Sequence, residues 1–296
     1  MRLNRTGMMG ITFIIVASFF ITLIAVASAT DYYVAMTGND ETGDGSAVNP
    51  WGTIQHAVES VDEGDTIIVR DGTYIENVYV EKSLTIRSDN GPAVTIVQAA
   101  STSYDVFYIY PLYVNISGFT ITGSTGAKSA GIHLSGENCA IYNNNVTNNY
   151  YGIWLDASKY NEITCNWIHH NTEAGFYLSA VWSPDYSGST DNTIERNNII
   201  ENGKYNGTTG GWEWQFDNNQ RDDVAAQDNW WGTVGEARIN ASIYDHYDNE
   251  YRGIVNFSFN LSGPDPCAPI PESAPILLFG AGLLALAGYV LREKRL

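Results

Sequence analysis

Across residues 131–231 the apolar and polar positions repeat nearly one line four times: GIHLSGENCAIYNNNVTNN, GIWLDASKYNEITCNWIHHN, GFYLSAVWSPDYSGSTDNTIERNNIIEN and GWEWQFDNNQRDDVAAQDNWWG. Ile141, Ile163, Ile194 and Ala225 fall in one column, and Asn144, Asn166, Asn197 and Asp228 fall in another. The glycines that open the first three lines, Gly131, Gly152 and Gly175, stand 21 and 23 residues apart. A period of this length, built from short alternating apolar runs, is that of a solenoid. Ile153 and Leu155, then Phe176 and Leu178, sit at alternate positions, so each pair shares one face of a strand and its neighbours share the other. No line holds a helical period. The pattern predicts an all-β fold, a right-handed parallel β-helix whose coils pair about 4.8 Å apart along the axis. The Asn column is expected at a turn, since Asn tolerates left-handed dihedrals and its amide can bond the coils above and below.

Upstream, Ile54, Ala57, Val58 and Val61 follow the spacing i, i+3, i+4, i+7 after a stop at Asn49-Pro50. They predict a short amphipathic helix, ended at Gly64-Asp65, that caps the first coil. Strands are expected at 66–69, 78–80, 84–86, 94–96, 106–109 and 114–121. Residues 1–29 read as a secretory signal, with Arg2 and Arg5 before an apolar run at 8–26 and a small-residue cleavage site at Ala27-Ser28-Ala29. The run is also long enough to stay uncleaved as an anchor. At the other end, 274–291 is an apolar run long enough to cross a bilayer, followed by Arg292, Lys294 and Arg295, which would remain cytoplasmic. The predicted organisation is a signal at 1–29, an N-terminal cap at 30–63, the β-helix at 64–232 and a C-terminal cap segment at 233–262. A linker at 263–273, opening on Gly263-Pro264-Asp265-Pro266, then leads to a transmembrane sorting or anchor segment at 274–296.

Four phrases carry resemblances. The segment YYVAMTGNDETGDGSAVNPWGTIQHAVESVDEGDTIIVRDGTY resembles the N-terminal cap of secreted pectate-lyase-like β-helix proteins in its tyrosines and its G-x-D, P-x-x-T-I-x-x-A and G-D-T-I-x-V phrases. That resemblance gives Asp44 and Asp65 turn and cap roles. ISGFTITG at 116–123 resembles a phrase of the wider family of carbohydrate-active and sugar-binding β-helices, which includes the copper-insertion β-helix proteins of nitrous-oxide respiration. Asp228-Asn229-Trp230-Trp231-Gly232 is similar to the closing phrase of surface β-helices, and its tryptophans are expected as a hydrophobic lid. Together these cover residues 32–260 and imply the fold. They do not imply an activity, because lyases, hydrolases, adhesins and inert surface proteins share the scaffold. Pro271-Glu272 before a Gly-rich apolar run and a basic end resembles PEP-CTERM and related archaeal sorting signals, with Ser273 where the common form has Pro. This implies a membrane transpeptidase as partner and a cell-surface location. A plain membrane anchor is the alternative, and either way the solenoid faces outward.

Charge narrows the partners. Asp and Glu number 33 against 15 Lys and Arg, a formal net charge of −18, and five of the basic residues lie in the two ends. This balance argues against nucleic acid or anionic lipid, and suits solubility, divalent cations or salty surroundings. Cys139 and Cys165 fall four positions out of register, roughly 13 Å along a strand, so they are not expected to pair and read as unpaired small residues. No zinc or redox spacing joins them to Cys267. Sequons at Asn115, Asn145, Asn206, Asn240, Asn256 and Asn260 would permit N-glycosylation.

Aligning the opening strands puts His133, Trp154, Tyr177 and Glu213 in one outward column, with Ser135, Asp156, Ser179 and Gln215 in the next. Trp154 and Tyr177, one strand spacing apart, would form one continuous aromatic platform for sugar, with polar anchors beside it. The other reading places both rings under loops. Insertions at 181–191 and 203–210 flank the same sheet and would turn it into a groove, and by resemblance polysaccharide lyases of this fold work on the corresponding sheet. The glycan-binding candidates are therefore His133, Trp154, Asp156, Tyr177, Glu213 and Gln215. A lyase would add a Lys or Arg base and carboxylates holding calcium. The columns contain neither cation. Arg221 is the nearest, and Asp217, Asp222 and Asp223 are the candidate calcium ligands. A glycoside hydrolase would need two carboxylates about 5–9.5 Å apart, and Asp156 and Glu213 fall two coils apart. His169 and His170 would point to opposite faces of a strand and share no metal. The expected function is a surface-displayed, non-catalytic β-helix that binds glycan or serves in the cell envelope. The alternative is a calcium-assisted polysaccharide lyase or glycoside hydrolase on the same groove.

Overall fold

The computed structural model describes residues 29–180 and 188–269. The predicted signal up to residue 28, residues 181–187 of the first insertion and the C-terminal apolar segment lie outside them. Among the described residues no helix is long and apolar enough to cross a membrane.

Each coil lays down three short strands, and corresponding strands of successive coils pair in parallel to give sheets of seven, six and seven strands. The hand is the right-handed one expected of parallel strands joined by crossovers. In the first sheet, Asn115–Ser117, Ala140–Tyr142, Glu162–Thr164 and Thr193–Glu195 set Ile116, Ile141, Ile163 and Ile194 in register. In the second, Asn145–Thr147, Trp167–His169 and Asn198–Ile200 align Val146, Ile168 and Ile199. The third sheet has the longest strands, Ala130–Leu134, Tyr151–Asp156 and Ala174–Ser179, and is called the wide sheet below. Its inward side chains include Ile132, Leu134, Ile153, Leu155, Phe176 and Leu178, all fully buried. Three such stacks meet in one core.

The corners are built differently from the sequence-based expectation. The left-handed residues are Asn143, Cys165, Arg196 and Asp228, with φ of 53° to 58°. The residue after each one, Asn144, Asn166, Asn197 and Asn229, turns its amide into the core. The column therefore ends on Asn229 rather than Asp228, and Ala226, buried where Ala225 is exposed, is the inward residue. One residue inserted before this coil moves both columns. Each Nδ2 donates to the Oδ1 of the next coil, at 3.2, 3.0 and 3.1 Å, and to a carbonyl of the coil below, Ile116, Ile141 and Ile163. A second ladder runs through Asn149, Asn171 and Asn202 at the entry to the wide sheet. Side-chain amides thus satisfy backbone groups that the tight corners strip from the strand ladders. The same ladder explains the repeated glycines. A Cβ on Gly131, Gly152 or Gly175 would lie 2.7–2.8 Å from the Nδ2 of Asn149, Asn171 or Asn202.

Both ends of the core are closed. At the start, the helix Ile54–Ser60 buries Ile54, Ala57 and Val58. Glu76 accepts its first N–H groups, from Ile54 and Gln55, at 3.0 and 2.9 Å. Asp65 accepts from the N–H of Thr30 and Asp62, and Asp44 from that of Ser46. At the far end Trp231 packs between Phe216 and Phe257.

The cysteine expectation holds for Cys139, which does not pair with Cys165, and fails for Cys165 itself. Cys165 is bonded to Cys267, 102 residues away, with Cα atoms 5.2 Å apart. Cys139 is free and buried. Cys267 lies beyond the repeats, and the chain brings it back onto the stack at Cys165. The start of the supposed linker is accordingly docked. Asp265 pairs with Arg196 at 3.1 Å, its N–H donates to Asn198 at 2.8 Å, and Ala268 is buried.

Candidate functional site: the outer face of the wide sheet

Strand register places one outward residue per coil in a single row: Tyr79, Tyr108, His133, Trp154, Tyr177, Asp217 and Tyr244. His133, Trp154 and Tyr177 stand where the alternation puts them, and Asp156 lies one outward position further along, opposite Ser179. Glu213 and Gln215 do not. Tyr177 pairs with Asp217, so the fourth line is displaced by four residues. The displacement comes from an antiparallel hairpin, Lys204–Asn206 with Gly211–Glu213, whose second strand resembles a coil strand in sequence. Glu213 pairs with Lys204 there and accepts from the Asn206 amide at 2.6 Å. Gln215 is buried inside, where its Oε1 accepts from Asn202 and ends the second amide ladder.

His133 is held on three sides. Its Nδ1 lies 2.9 Å from Asp105, its ring stacks on Trp154 at 4.0 Å and 7°, and the Tyr108 ring meets it edge-on at 4.8 Å. Nε2 stands 3.8 Å from Asp156, without a hydrogen-bond partner, in a residue only 8% exposed. Burial works to lower the imidazole pKa, but Asp105 and Asp156 outweigh it and raise the pKa above its usual value. Asp156 is correspondingly lowered, chiefly by His133 and further by the Ser179 hydroxyl, which donates to it at 2.6 Å. The Trp154 indole N–H in turn donates to Ser179 at 2.8 Å.

The two predicted platform rings are not coplanar. Trp154 and Tyr177 meet at 72° with centroids 5.5 Å apart. Tyr177 instead stacks on Tyr151, at 4.2 Å and 5°. Adjacent strands are too close for two large rings to lie side by side, so each takes a face partner, His133 for one and Tyr151 for the other. Tyr79 and Tyr108 form a third stack at 5.1 Å. Trp154 and Tyr177 both remain partly exposed.

Beyond Tyr177 the row turns polar. The Tyr177 hydroxyl accepts from the Asn219 amide. Burial pushes the Asp217 carboxyl up to about 7, against the opposing pull of Arg252, and Glu173 pushes it further. Sequence reasoning missed Asp105, Tyr151 and Arg252, and it named Asp217 as a candidate calcium ligand without placing it in the row. Asp105 and Tyr151 could have been found as residues flanking strand starts. Arg252 lies outside the repeats, and only its rarity as a cation in an acidic stretch marks it.

The remaining candidates are engaged elsewhere. Asp223 accepts the Ile254 N–H at 2.7 Å, holding the C-terminal segment, and Asp222 has a buried, unpartnered Oδ2. Among the described residues no group of three or more His, Cys, Asp and Glu is placed to hold a metal ion. His169 and His170 do meet, Nδ1 to Nδ1, contrary to expectation. His170 has a left-handed φ of 53°, which ends the strand alternation and swings its ring back. Burial drives the His169 pKa down to about 3, and His170 adds to the effect.

The model of the family described as periplasmic copper-binding protein (NosD) matches residues 29–235. The chain belongs to the NosD family. A stretch of 104 residues is 38% identical to a cell surface glycoprotein of Methanothermus fervidus, covering 34% of this chain and 16% of that one. Another of 200 residues is 28% identical to the uncharacterized protein YwoF of Bacillus subtilis, covering 58% and 42%. The chain thus spans less than half the length of either relative. An alginate lyase from Paenibacillus sp. str. FPU-7 superposes with a TM-score of 0.50 at 18% identity, over 79% of this chain and 76% of that one. This likeness shows the parallel β-helix fold alone. Pectate lyase Pel9A is similar at a TM-score of 0.43 and 14% identity, over 84% and 83%.

The family description names copper, and among the described residues the donor set does not gather to fit it. Thioether, thiolate and imidazole are the ligands that select copper. Cys165 and Cys267 are joined in a disulfide, and burial raises the Cys139 thiol to about 11. His133 Nδ1 is held by Asp105 while its buried Nε2 faces Asp156 with no Cys, Met or second His beside it among the described residues, and His170 pairs with Glu201 at 3.0 Å.

Proposed function

We propose that this protein binds a glycan chain along the outer face of the wide sheet, on the outside of the cytoplasmic membrane and without cleaving it. The observation that carries this reading is the single row of ring-bearing residues, Tyr79, Tyr108, His133, Trp154, Tyr177 and Tyr244, with Asp156, Ser179 and Asn219 beside it. Ring faces stack on the apolar faces of sugars, while fixed carboxylate, hydroxyl and amide groups choose among hydroxyl patterns. Six strand spacings make a track of roughly 29 Å, long enough for several sugar rings. The periplasmic family description and the cell-surface relative support placement outside the cytoplasm. The Cys165–Cys267 disulfide suits an oxidising compartment, and the predicted signal and sorting segments agree with it.

Trp154→Ala tests the reading, with Tyr142→Ala as control because Tyr142 is exposed on the first sheet, away from the row. On a glycan array the parent and Tyr142→Ala should bind a common set, and Trp154→Ala should lose about tenfold or more in affinity with its circular dichroism unchanged. Equal binding by both variants, or no binding by the parent, would overturn it.

A further inference from the structure

A cavity of about 320 Å³ opens where the row turns polar, and Asn219, Arg221, Asn249, Tyr251 and Arg252 line it. It adjoins the proposed track directly, since Asn219 is also the partner of the Tyr177 hydroxyl. Two arginines on one cavity stand out in a chain with more than twice as many acidic as basic residues. Arg252 is half-buried, and its Nε is sealed from solvent with no hydrogen-bond partner. Among the described residues no carboxylate lies within ion-pair distance of the Arg252 guanidinium. An unsatisfied guanidinium N–H beside a cavity is costly unless an acceptor arrives.

We propose that this cavity receives the carboxylate of an acidic sugar, with Arg252 as its anchoring group. The inference rests on the glycan-binding reading and names the class of glycan, one carrying uronate residues. A planar carboxylate accepts two parallel N–H bonds from a guanidinium, a match that neutral hydroxyls cannot make. Asp217, the internal carboxyl whose charge Arg252 favours, is pushed up to about 7 by burial, so at neutral pH it is only partly ionised and competes weakly with an incoming anion. Asn219, Asn249 and Tyr251 also line the cavity and bring amide and hydroxyl groups to it, Asn219 already donating to Tyr177 and Asn249 accepting from the Tyr251 N–H. The acidic field of the whole molecule opposes any anion at long range. Selection for the carboxylate must then come from contacts inside the cavity.

The test pairs oligosaccharides of galacturonate, mannuronate and glucuronate with their carboxyl-reduced twins, titrated calorimetrically into parent, Arg252→Gln and Arg252→Lys. The parent should bind at least one acidic oligosaccharide about tenfold or more tighter than its reduced twin. Arg252→Gln should abolish that preference while leaving affinity for the twin unchanged, and Arg252→Lys, which keeps the charge but loses the fork, should retain only part of it. Melting temperatures of both variants check that they fold, and the Lys variant carries the test where Gln does not. A parent that binds reduced twins as tightly as the acids, with Trp154→Ala still weakening both, would overturn the carboxylate site alone. A preference that survives Arg252→Gln in folded protein would do the same. A parent that binds none of these sugars, acidic or reduced, would overturn both the site and the glycan reading.

Discussion

A carboxyl group shut away from water keeps its proton, and Asp217 makes that effect measurable. Its folded pKa of about 7 lies above the 3.8 of an exposed aspartate. Below pH 4 both folded and unfolded chains carry the proton, and the group costs nothing. Between about 4 and 7 the unfolded chain releases it while the folded chain holds it, so stability falls as pH rises; above 7 the loss is complete, on the order of 4 kcal/mol at most. Asp217→Asn should therefore melt above the parent at pH 8 and close to it at pH 4. A difference that stays constant across that range would show the carboxyl is not raised. At this scale the sequence was legible where alternation holds: His133, Trp154 and Asp156 are outward because Ile132, Ile153 and Leu155 are inward. Asp217 was not legible, because its position depends on how many residues the preceding hairpin removes from the count. Arg252 was not either, since it reaches the row from a segment that has no repeat.

Within one coil, the corner and the strand after it are made to fit by what is missing from a side chain. Gly152 illustrates this. A methyl group there would sit 2.5 Å from the Gly175 carbonyl and 2.8 Å from the Asn171 amide. Backbone cannot give way without breaking the amide ladder, so Gly152→Ala should destabilise by about 2 kcal/mol or more. Alanine at the exposed Gly207, where a Cβ meets nothing within 4 Å, should change stability by less than about 0.5 kcal/mol. Chemical denaturation of both variants checks the contrast, and equal effects would refute the ladder's role. The coil itself was readable from Ile141, Ile163 and Ile194, because a buried side chain every turn leaves a period. The corner was half readable. The Asn column announced a turn, but the left-handed geometry falls on the preceding residue, where Asn143, Cys165 and Arg196 share no chemistry. A conformation accepted by such different residues leaves no letter in the sequence.

Across the whole molecule, a stack of coils is only as secure as its last one. The final coil here is tied back by the Cys165–Cys267 bond and by Arg196 against Asp265. Closing a loop of 102 residues removes chain entropy from the unfolded state, worth about 4–5 kcal/mol in the ideal case. Cys267→Ser, or a reductant, should lower the melting temperature by several degrees and leave the wide-sheet face able to bind what the parent binds. An unchanged melting temperature would mean that the bond is absent in solution. This link was hidden in the sequence because one cysteine lies in the repeats and the other beyond them, so no period relates the two. It also fixes the route by which tension travels. A pull on the residues after Cys267 does not peel the last coils off one at a time. It crosses the sulfur bridge to Cys165, in the middle of the stack, and is shared among the strands paired there. About 340 Å of extended chain is thereby shielded from the load, and the far part of the proposed binding face, from Tyr177 to Tyr244 and Arg252, lies within the shielded length.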